Sequence, residues 1–450
     1  MRKTKIFLFN GILLTITSLF LRSISIFFSI YISNKISKEA IGIYQLIMYV
    51  YMFFVTISCS GINLAMSKII SEQIAYNQEN SIKTAIKKGI FYSLIMGLLA
   101  FIILFFSSPF ICENWLHGKI SPISLKIISI SLPFISVSNC INGYFSARRN
   151  VKKTAICQVI EQIFKICFIC FLLNVLVPST IEDTCIYIVL GNTLSEILSF
   201  VFLLLFYYLD INKIRSKFDR NNNFSKQIFR ITFPIAFTSY IRSGLSTLKQ
   251  ILIPIRLEKS GISCEHALSE YGAINGMVMP LILFPCNFIS SFSSLLIPEF
   301  SYLNAKKDKS KINFAILKIL KFSFIFSFLI MGIFWCFSNE LSNIIYPKSE
   351  LSIFVKILSP LIILMYIDNI VDSILKGLDK QVSVMGVNIL DLFISISFIY
   401  FLLPVKGING YFIVLFISEF FNGFISFFIL LKETDVKIDF LNWILKPCIS

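Results

Sequence analysis

The sequence predicts an all-α, polytopic membrane protein with about twelve transmembrane helices arranged as two pseudo-symmetric six-helix bundles. Three observations predict this fold: an apolar composition, twelve long apolar stretches, and motifs that recur in the two halves of the chain. Of the 450 residues, 56% are hydrophobic and only 15% are charged. That balance is typical of membrane proteins and excludes a soluble globular domain.

The apolar stretches are each long enough to cross the roughly 30 Å hydrocarbon core of a bilayer as a helix. An even number of spans places both termini on the same side of the membrane. The predicted spans are 9–32, 41–66, 86–108, 123–146, 155–177, 185–209, 228–255, 271–297, 314–337, 351–375, 382–403 and 408–431.

The basic residues alternate between the connections of these spans. Counting nearby span ends together with the connections, 28 of the 41 Lys and Arg residues belong to the N-terminal segment and the even-numbered connections, and 9 belong to the odd-numbered ones. Basic residues concentrate on the cytoplasmic side, so a cell-membrane protein with both termini in the cytoplasm is predicted. The net charge of +16 is then a product of topology and of attraction to membrane lipids, and it does not indicate a nucleic-acid partner.

Four motifs recur in the same order in the two halves, 220 to 234 residues apart. They predict parallel repeats related by an axis along the membrane normal, with a binding site between them. The predicted domains are an N-terminal bundle at 1–209, a cytoplasmic basic linker at 210–227, a C-terminal bundle at 228–431, and 432–450 as a cytoplasmic tail or the start of a truncated thirteenth helix. The matching positions are Arg22 with Arg242, Gly143 with Gly377, Glu161 with Asp391, and Ser195-Glu196 with Ser418-Glu419.

The first span carries a polar stripe with Arg22 near its middle. Thr15, Ser18, Arg22, Ser25 and Ser29 are three or four residues apart, so they share one side of a helix. An Arg at that depth must face protein or water, because facing lipid costs about 2.5–3.5 kcal/mol. The stripe predicts a helix that lines a cavity for an anion. The alternative is a buried Arg that bonds to backbone carbonyls of neighbouring helices.

The seventh span carries a matching cationic stripe of Arg242, Ser246, Lys249 and Arg256. Together with Arg22, these cations are predicted to converge on a shared cavity suited to a diphosphate or another polyanion. The alternative is that acids inside the bundle neutralise them.

Acidic residues within the spans divide into two groups. Glu161 and Asp372 each have a Lys four residues further on and are predicted to pair with it. Glu196, Asp391 and Glu419 lack such a neighbour, so they are either packing acids or sites for H⁺ or Na⁺ coupling.

Catalytic and metal sites are not predicted. The Cys residues lie mostly in apolar segments without metal-ligand spacing, and the two His residues, His117 and His266, fall in predicted loops. Neither an enzyme nor a cofactor is expected.

Several stretches resemble the stage V sporulation protein B family: GILLTITSLFLR, YISNKISKEAIGIYQLIMYVY and SGINLAMSKIISE near the N-terminus, then ILIPIRLEKSG, YGAINGMVMPLILFP, LLIPEF and ILKGLDKQ. That family belongs to the multidrug/oligosaccharidyl-lipid/polysaccharide (MOP) exporter superfamily, alongside lipid II flippases. The resemblance implies a MATE/MOP-like fold and a flippase that moves an undecaprenyl-pyrophosphate-linked peptidoglycan precursor outward by alternating access, for spore cortex synthesis.

The resemblance also assigns roles to residues. It implies that Arg22 and Arg242 hold the pyrophosphate, with Lys249 as a further candidate. Ser18 and Ser246, on the same stripes as the arginines, are predicted to lie beside the headgroup. It implies fourteen helices, the last two forming a groove for the lipid tail, whereas this chain stops at NWILKPCIS, where a thirteenth helix would begin.

Other functions stay open from the sequence. They are a polysaccharide-precursor or multidrug exporter of the same superfamily, a membrane enzyme, and a non-transporting sporulation membrane protein. The basic stripes disfavour a site for cationic drugs, and the short outer loops disfavour an enzyme. The expected partners are a lipid-linked anionic glycan and membrane lipids, and the protein is expected to be a monomer.

Overall fold

The computed structural model describes residues 2–76, 79–115, 121–176, 178–212, 223–347 and 351–434, and it contains helices and no strands in that part of the chain. The all-α prediction is therefore confirmed. The helices are α1 (Arg2–Lys35), α2 (Lys38–Cys59), α3 (Ile62–Ala75), α4 (Glu79–Phe110), α5 (Pro122–Ser129), α6 (Leu132–Ala147), α7 (Val151–Val175), α8 (Ile181–Ile211), α9 (Phe224–Glu258), α10 (Cys264–Tyr271), α11 (Met279–Leu283), α12 (Cys286–Ala305), α13 (Lys309–Cys336), α14 (Ser338–Ile345), α15 (Ser352–Leu358), α16 (Leu361–Gly377) and α17 (Gln381–Glu433), with π-helical segments at Ile111–Trp115 and Gly272–Val278.

Long apolar helices make this a multi-pass membrane protein. Within the described residues, eight helical segments are long and apolar enough to cross a bilayer, or nine if the bent pair α15–α16 counts as one span. The 53-residue α17 contains a non-helical residue, Gly407, at φ +55° and ψ −137°. A positive φ is readily adopted by glycine, so the break falls there. The two predicted spans 382–403 and 408–431 lie on either side of it.

The predicted span 271–297 is not one continuous helix. It begins at the end of α10 and continues through the π-helical segment Gly272–Val278 and α11. It is then interrupted between α11 and α12. Pro280 and Pro285 lack the backbone N–H that a continuous helix needs, so the hydrogen-bond ladder breaks beside them. The breaks allow the segments on either side to differ in direction.

The chain forms two compact units, and each includes parts of both halves of the sequence. The N-terminal unit comprises Met1–Leu21 and Ile43–Thr247, and the C-terminal unit comprises Arg22–Gly42 and Leu248–Ser450. Helices α1 and α9 are each divided between the units. The predicted bundles 1–209 and 228–431 remain a prediction. Most of the predicted linker, at 213–222, and of the predicted tail, at 435–450, lies outside the described residues.

A close helix crossing recurs in both units at the matching glycines. In the N-terminal unit, a Cβ atom on Gly143 would lie 2.6 Å from the Asn63 carbonyl oxygen and 2.9 Å from Met66 Cβ. In the C-terminal unit, a Cβ atom on Gly377 would lie 2.9 Å from the Ile297 carbonyl oxygen and 2.6 Å from a Phe300 atom. The same spacing of contacts appears 234 residues apart, which supports the internal repeat.

The turn that follows each of these helices also recurs. Arg149 has φ +56°, and the N–H of the next residue donates to the Phe145 carbonyl at 2.9 Å. Asp379, 230 residues later, has φ +63°, and the next N–H donates to the Leu375 carbonyl at 2.9 Å. Each unit therefore contains the same helix–turn–helix geometry, closed by the same backbone hydrogen bond.

The turn in the N-terminal unit is bound to the end of α8 by Asp210. The Asp210 carboxylate accepts hydrogen bonds from Tyr144 at 2.9 Å and Lys153 at 3.0 Å, and lies 3.1 Å from the Arg148 guanidinium. The Asp210 side chain is only 10% exposed. The corresponding contact in the C-terminal unit, Lys380 to Glu433 at 2.7 Å, is more than one-third exposed on both partners.

This difference in exposure predicts unequal effects on stability. Asp210→Ala removes a carboxylate that two cations and a phenol share, so we expect it to cost about 2 kcal/mol or more. Glu433→Ala removes a solvent-exposed pair, so its cost should be about 1 kcal/mol or less. Thermal unfolding of the purified variants measures both effects, and equal shifts in melting temperature would contradict the assignment.

A second close approach, between α2 and the π-helical segment, lies in the C-terminal unit. A Cβ atom on Gly272 would collide with the Lys38 carbonyl oxygen and the backbone nitrogen of Gly42. We expect Gly272→Ala to destabilise the protein by about 1–3 kcal/mol, because backbone must move to admit the methyl group. Gly423→Ala is the matched control, since nothing lies within 4 Å of its Cβ position. A melting temperature unchanged in both variants would show that this crossing is not tight.

Candidate functional site

Arg22 lies on α1 in the C-terminal unit, with its side chain exposed. Its Nη1 donates to Asn287 Oδ1 at 3.4 Å, and within the described residues its guanidinium has no carboxylate partner. The neighbour is thus a side-chain amide rather than a backbone carbonyl. An amide leaves the positive charge unneutralised, so the guanidinium retains the capacity to bind an anion.

The position of Arg22 depends on the break before α12. Phe27 on α1 packs against Phe284 with ring centroids 6.2 Å apart, and Phe284 packs against Phe288 at 6.0 Å. Asn287 follows Pro285 at the start of α12, so the break brings its amide to Arg22. The sequence analysis did not identify Asn287. Its signal is a polar residue two positions after a proline in an apolar span.

Arg242 lies on α9 in the N-terminal unit and is also exposed. Its side chain makes no hydrogen bond or ion pair with any residue that the structure describes. The helix around it is held against α2: Tyr240 donates to the Ile57 carbonyl at 3.0 Å, and Thr56 donates to Ser243 Oγ at 3.1 Å. A second guanidinium inside the protein's helical, apolar part therefore lacks a carboxylate partner.

The two serines predicted to lie beside the headgroup are on the same helices as the arginines. Ser18 is partly exposed one turn before Arg22, and Ser246 is partly exposed one turn after Arg242. Because Arg22 and Arg242 belong to different units, their predicted convergence on one cavity remains a prediction.

Lys249 has a different environment, because it is connected to a carboxylate inside the C-terminal unit. Its Nζ donates to Ser395 Oγ at 3.0 Å, Ser395 Oγ donates to Ser418 Oγ at 3.0 Å, and Ser418 Oγ donates to Asp391 Oδ1 at 2.6 Å. Both serines are buried. We call these four residues the lysine–aspartate relay.

The relay joins α9 to both arms of α17. Asp391 and Ser395 precede the break at Gly407, and Ser418 follows it. Glu419, beside Ser418, lies within electrostatic range of Lys249 and Asp391. Two carboxyl groups thus share one ammonium, and a chain of hydroxyl groups can carry a proton between the ends of the relay. The sequence analysis named Lys249, Asp391 and Glu419 but did not connect them.

The corresponding acids of the N-terminal unit are arranged more loosely. Glu196 makes no hydrogen bond with a described residue and interacts electrostatically with Glu161 and Lys165. Glu161 accepts a hydrogen bond from Ser199 at 3.2 Å. The predicted pairing of Glu161 with Lys165 is present as an electrostatic interaction, and among the described residues the two side chains form no direct ion pair.

The other local pair is confirmed, since Lys376 Nζ lies 3.4 Å from Asp372 Oδ2. Nearby on α16, Asp368 accepts a hydrogen bond from Asn422 at 3.2 Å, while Asp368 Oδ1 and Asn422 Oδ1 are buried without a partner. The α16–α17 contact is therefore more polar than the sequence alone indicated.

The described residues contain no group of three or more His, Cys, Asp or Glu side chains arranged to hold a metal ion, and the described cysteines are not disulfide-bonded. His266 lies in α10 rather than in a loop, because Ser263 caps that helix by accepting from the His266 N–H at 3.3 Å. His117 lies outside the described residues.

Two solved structures with a similar arrangement of helices are transporters. A multidrug resistance MATE family transporter of the MOP superfamily, in an inward-facing conformation, matches with a TM-score of 0.72 and 13% identity over 93% of this chain and 98% of that chain. A MOP superfamily transporter from Pyrococcus furiosus matches with a TM-score of 0.64 and 13% identity over 94% of this chain and 95% of that chain. The fold is that of a MOP superfamily transporter.

The sequence comparisons identify the family of this chain. The profile of the polysaccharide biosynthesis protein family matches residues 7–304, and the chain belongs to that family. Stage V sporulation protein B of Bacillus subtilis (strain 168) is 23% identical over 84% of this chain and 74% of that protein. Lipid II flippase MurJ of the same organism is 29% identical over 26% of this chain and 23% of that protein. The solved neighbours are named as transporters, and MurJ is named as a flippase.

Proposed function

We propose that this protein is a flippase that moves an undecaprenyl-pyrophosphate-linked peptidoglycan precursor, similar to lipid II, outward across the cell membrane by alternating access. One observation carries the proposal: Arg22 and Arg242 lie on long helices of a membrane protein, and within the described residues neither has a carboxylate partner. The positive charges of these two guanidiniums are thus available to a mobile anion.

The chemistry of guanidinium favours a phosphorylated headgroup. Its planar fork of N–H donors matches phosphate oxygens in a bidentate manner, and it stays protonated at any physiological pH. Holding an Arg at membrane depth costs about 2.5–3.5 kcal/mol on insertion scales, and a bound anion would offset that cost. Ser18 and Ser246 would donate further hydrogen bonds to the headgroup.

The relatives support the class of cargo. Lipid II flippase MurJ matches part of the chain, and stage V sporulation protein B matches most of it. We propose that the precursor serves spore cortex synthesis, and that the protein is a monomer whose termini lie in the cytoplasm.

Transport needs a driving force, and the buried acids are the groups suited to supply it. We propose that Glu196, Asp391 and Glu419 take part in ion coupling. The lysine–aspartate relay supports this role for Asp391, because a change in the proton or ion bound there alters hydrogen bonds to both arms of α17. Lys249 then acts on the acids, and its ammonium contributes to headgroup binding when Asp391 and Glu419 are protonated.

A reconstituted translocation assay tests the proposal. Proteoliposomes with the purified protein are loaded with a labelled undecaprenyl-pyrophosphate disaccharide, and the fraction that becomes accessible outside is followed over time. We expect transfer well above that of protein-free liposomes. The same vesicles should not accumulate a lipophilic cationic dye. Dye accumulation without lipid transfer would favour a multidrug exporter, and the absence of both would favour a non-transporting sporulation protein.

A further inference from the structure

A groove on the C-terminal unit has no role in the proposed transport path. It lies where α12, α13 and α16 meet and has a volume of about 530 Å³. Six of its seven lining residues are apolar, and Lys318 carries the one charge among them. The lining residues are Phe288, Ile289, Lys318, Ile319, Phe322, Phe326 and Ile370.

The wall of the groove is an ordered series of aromatic rings. Phe322 stacks with Phe326 at 6.2 Å between centroids, and Phe326 stacks with Tyr366 at 6.3 Å. The Tyr366 hydroxyl donates to the Ile282 carbonyl at 2.9 Å, which fixes the innermost ring. Phe288 and Phe322 are 53% and 60% exposed, so the groove opens away from the protein core. The surface is preformed and apolar, as a hydrocarbon chain requires.

Polarity along the groove matches that of a lipid. Lys318, Phe322 and Phe326 are four residues apart and share one face of α13, with the ammonium at one end and the rings beyond it. Trp335 lies 17 residues after Lys318, a distance of about 26 Å along the helix, and is 44% exposed. Tryptophan favours the membrane interface, so Lys318 falls close to the opposite boundary of a roughly 30 Å core.

Charge complementarity identifies the headgroup. The first turns of α13 carry four lysines, and Lys318 has no ion-pair partner among the described residues. A lysine near a membrane surface attracts anionic lipid by about 1 kcal/mol, and of these four lysines Lys318 is the one that lines the groove. The four are Lys309, Lys311, Lys318 and Lys321.

We propose that this groove binds one anionic phospholipid, with the phosphate on Lys318 and an acyl chain along Phe322 and Phe326. The site is independent of the cargo, because it uses neither Arg22 nor Arg242. The lipid then fills the cleft between α12, α13 and α16 and stabilises their packing.

Lipid binding to the purified protein tests the site. Phosphatidylglycerol and phosphatidylcholine are titrated separately, and bound lipid is counted by native mass spectrometry alongside the melting temperature. We expect phosphatidylglycerol to bind about fivefold more tightly than phosphatidylcholine to the wild type, which corresponds to one lysine. Lys318→Gln should abolish that preference. Lys321 is exposed on the same helix but does not line the groove, so Lys321→Gln should retain the preference for phosphatidylglycerol.

A second variant tests the acyl-chain contact. Phe322→Ser should weaken binding of both lipids while preserving their ratio, because it removes a ring of the wall and leaves Lys318 in place. The proposal is overturned if Lys318→Gln keeps the wild-type preference, if both lysine variants lose it equally, or if undecaprenyl phosphate binds the groove and phosphatidylglycerol does not.

Discussion

Replacing Arg22 or Arg242 with alanine is expected to reduce translocation of the lipid-linked pyrophosphate by about 10- to 100-fold. Each guanidinium would supply charge-assisted hydrogen bonds to phosphate, worth about 1.5–3 kcal/mol apiece. The variants should fold, because neither side chain has an ion pair to lose in the described residues and Arg22 loses one long hydrogen bond of 3.4 Å. The measurement is the initial rate in proteoliposomes of matched protein content.

Matched variants separate headgroup binding from general charge effects. Arg230→Ala removes an exposed cation from the same helix as Arg242, near the start of α9, and should leave the rate unchanged. Arg22→Lys and Arg242→Lys keep the charge but lose the planar fork, so intermediate rates are expected. Wild-type rates in both alanine variants would remove these residues from the substrate site.

Lys249→Met is expected to destabilise the C-terminal unit by about 3–5 kcal/mol. The variant removes the one cation of the lysine–aspartate relay and leaves Asp391 and Glu419 together in a poorly solvated environment. Asp391→Asn alone should cost less, since its amide oxygen still accepts from Ser418. The double variant, Lys249→Met with Asp391→Asn, should recover part of the lost stability, because position 391 then carries no charge. Denaturant or thermal unfolding of the four proteins gives the coupling energy.

Lys376 on α16 provides the control for this double-mutant cycle. Lys376 pairs with Asp372 at 3.4 Å, but its side chain is 40% exposed. Lys376→Met should therefore cost about 1 kcal/mol or less. If Lys249→Met and Lys376→Met had equal effects, or if the double variant were simply additive, the relay would not couple Lys249 to Asp391.

The membrane-spanning class and the repeat could be predicted because both leave local signals in the sequence. Apolar length identifies spans, and the close helix crossings at Gly143 and Gly377 require a residue without a side chain. These signals do not depend on the tertiary arrangement. The break in α17 was placed correctly between two predicted spans, since Pro404 and Gly407 interrupt the apolar run.

The contacts of the site could not be predicted, because they join residues far apart in sequence. Lys249 and Ser395 are separated by 146 positions, and Arg22 and Asn287 by 265. Helical spacing shows which side chains share a face but not which helix that face meets. For the same reason Lys249, placed with the arginines by its spacing, turned out to be hydrogen-bonded within the C-terminal unit. Glu161 similarly bonds to Ser199 on another helix.

Equilibrium binding of polyprenyl lipids with different headgroups tests the central claim most directly, since it does not depend on coupling or on the transport rate. The account predicts that the wild type binds an undecaprenyl diphosphate more tightly than the monophosphate, and that Arg22→Ala and Arg242→Ala lose most of this difference. Equal affinity for the two headgroups in the wild type, or an undiminished preference in both variants, would contradict it.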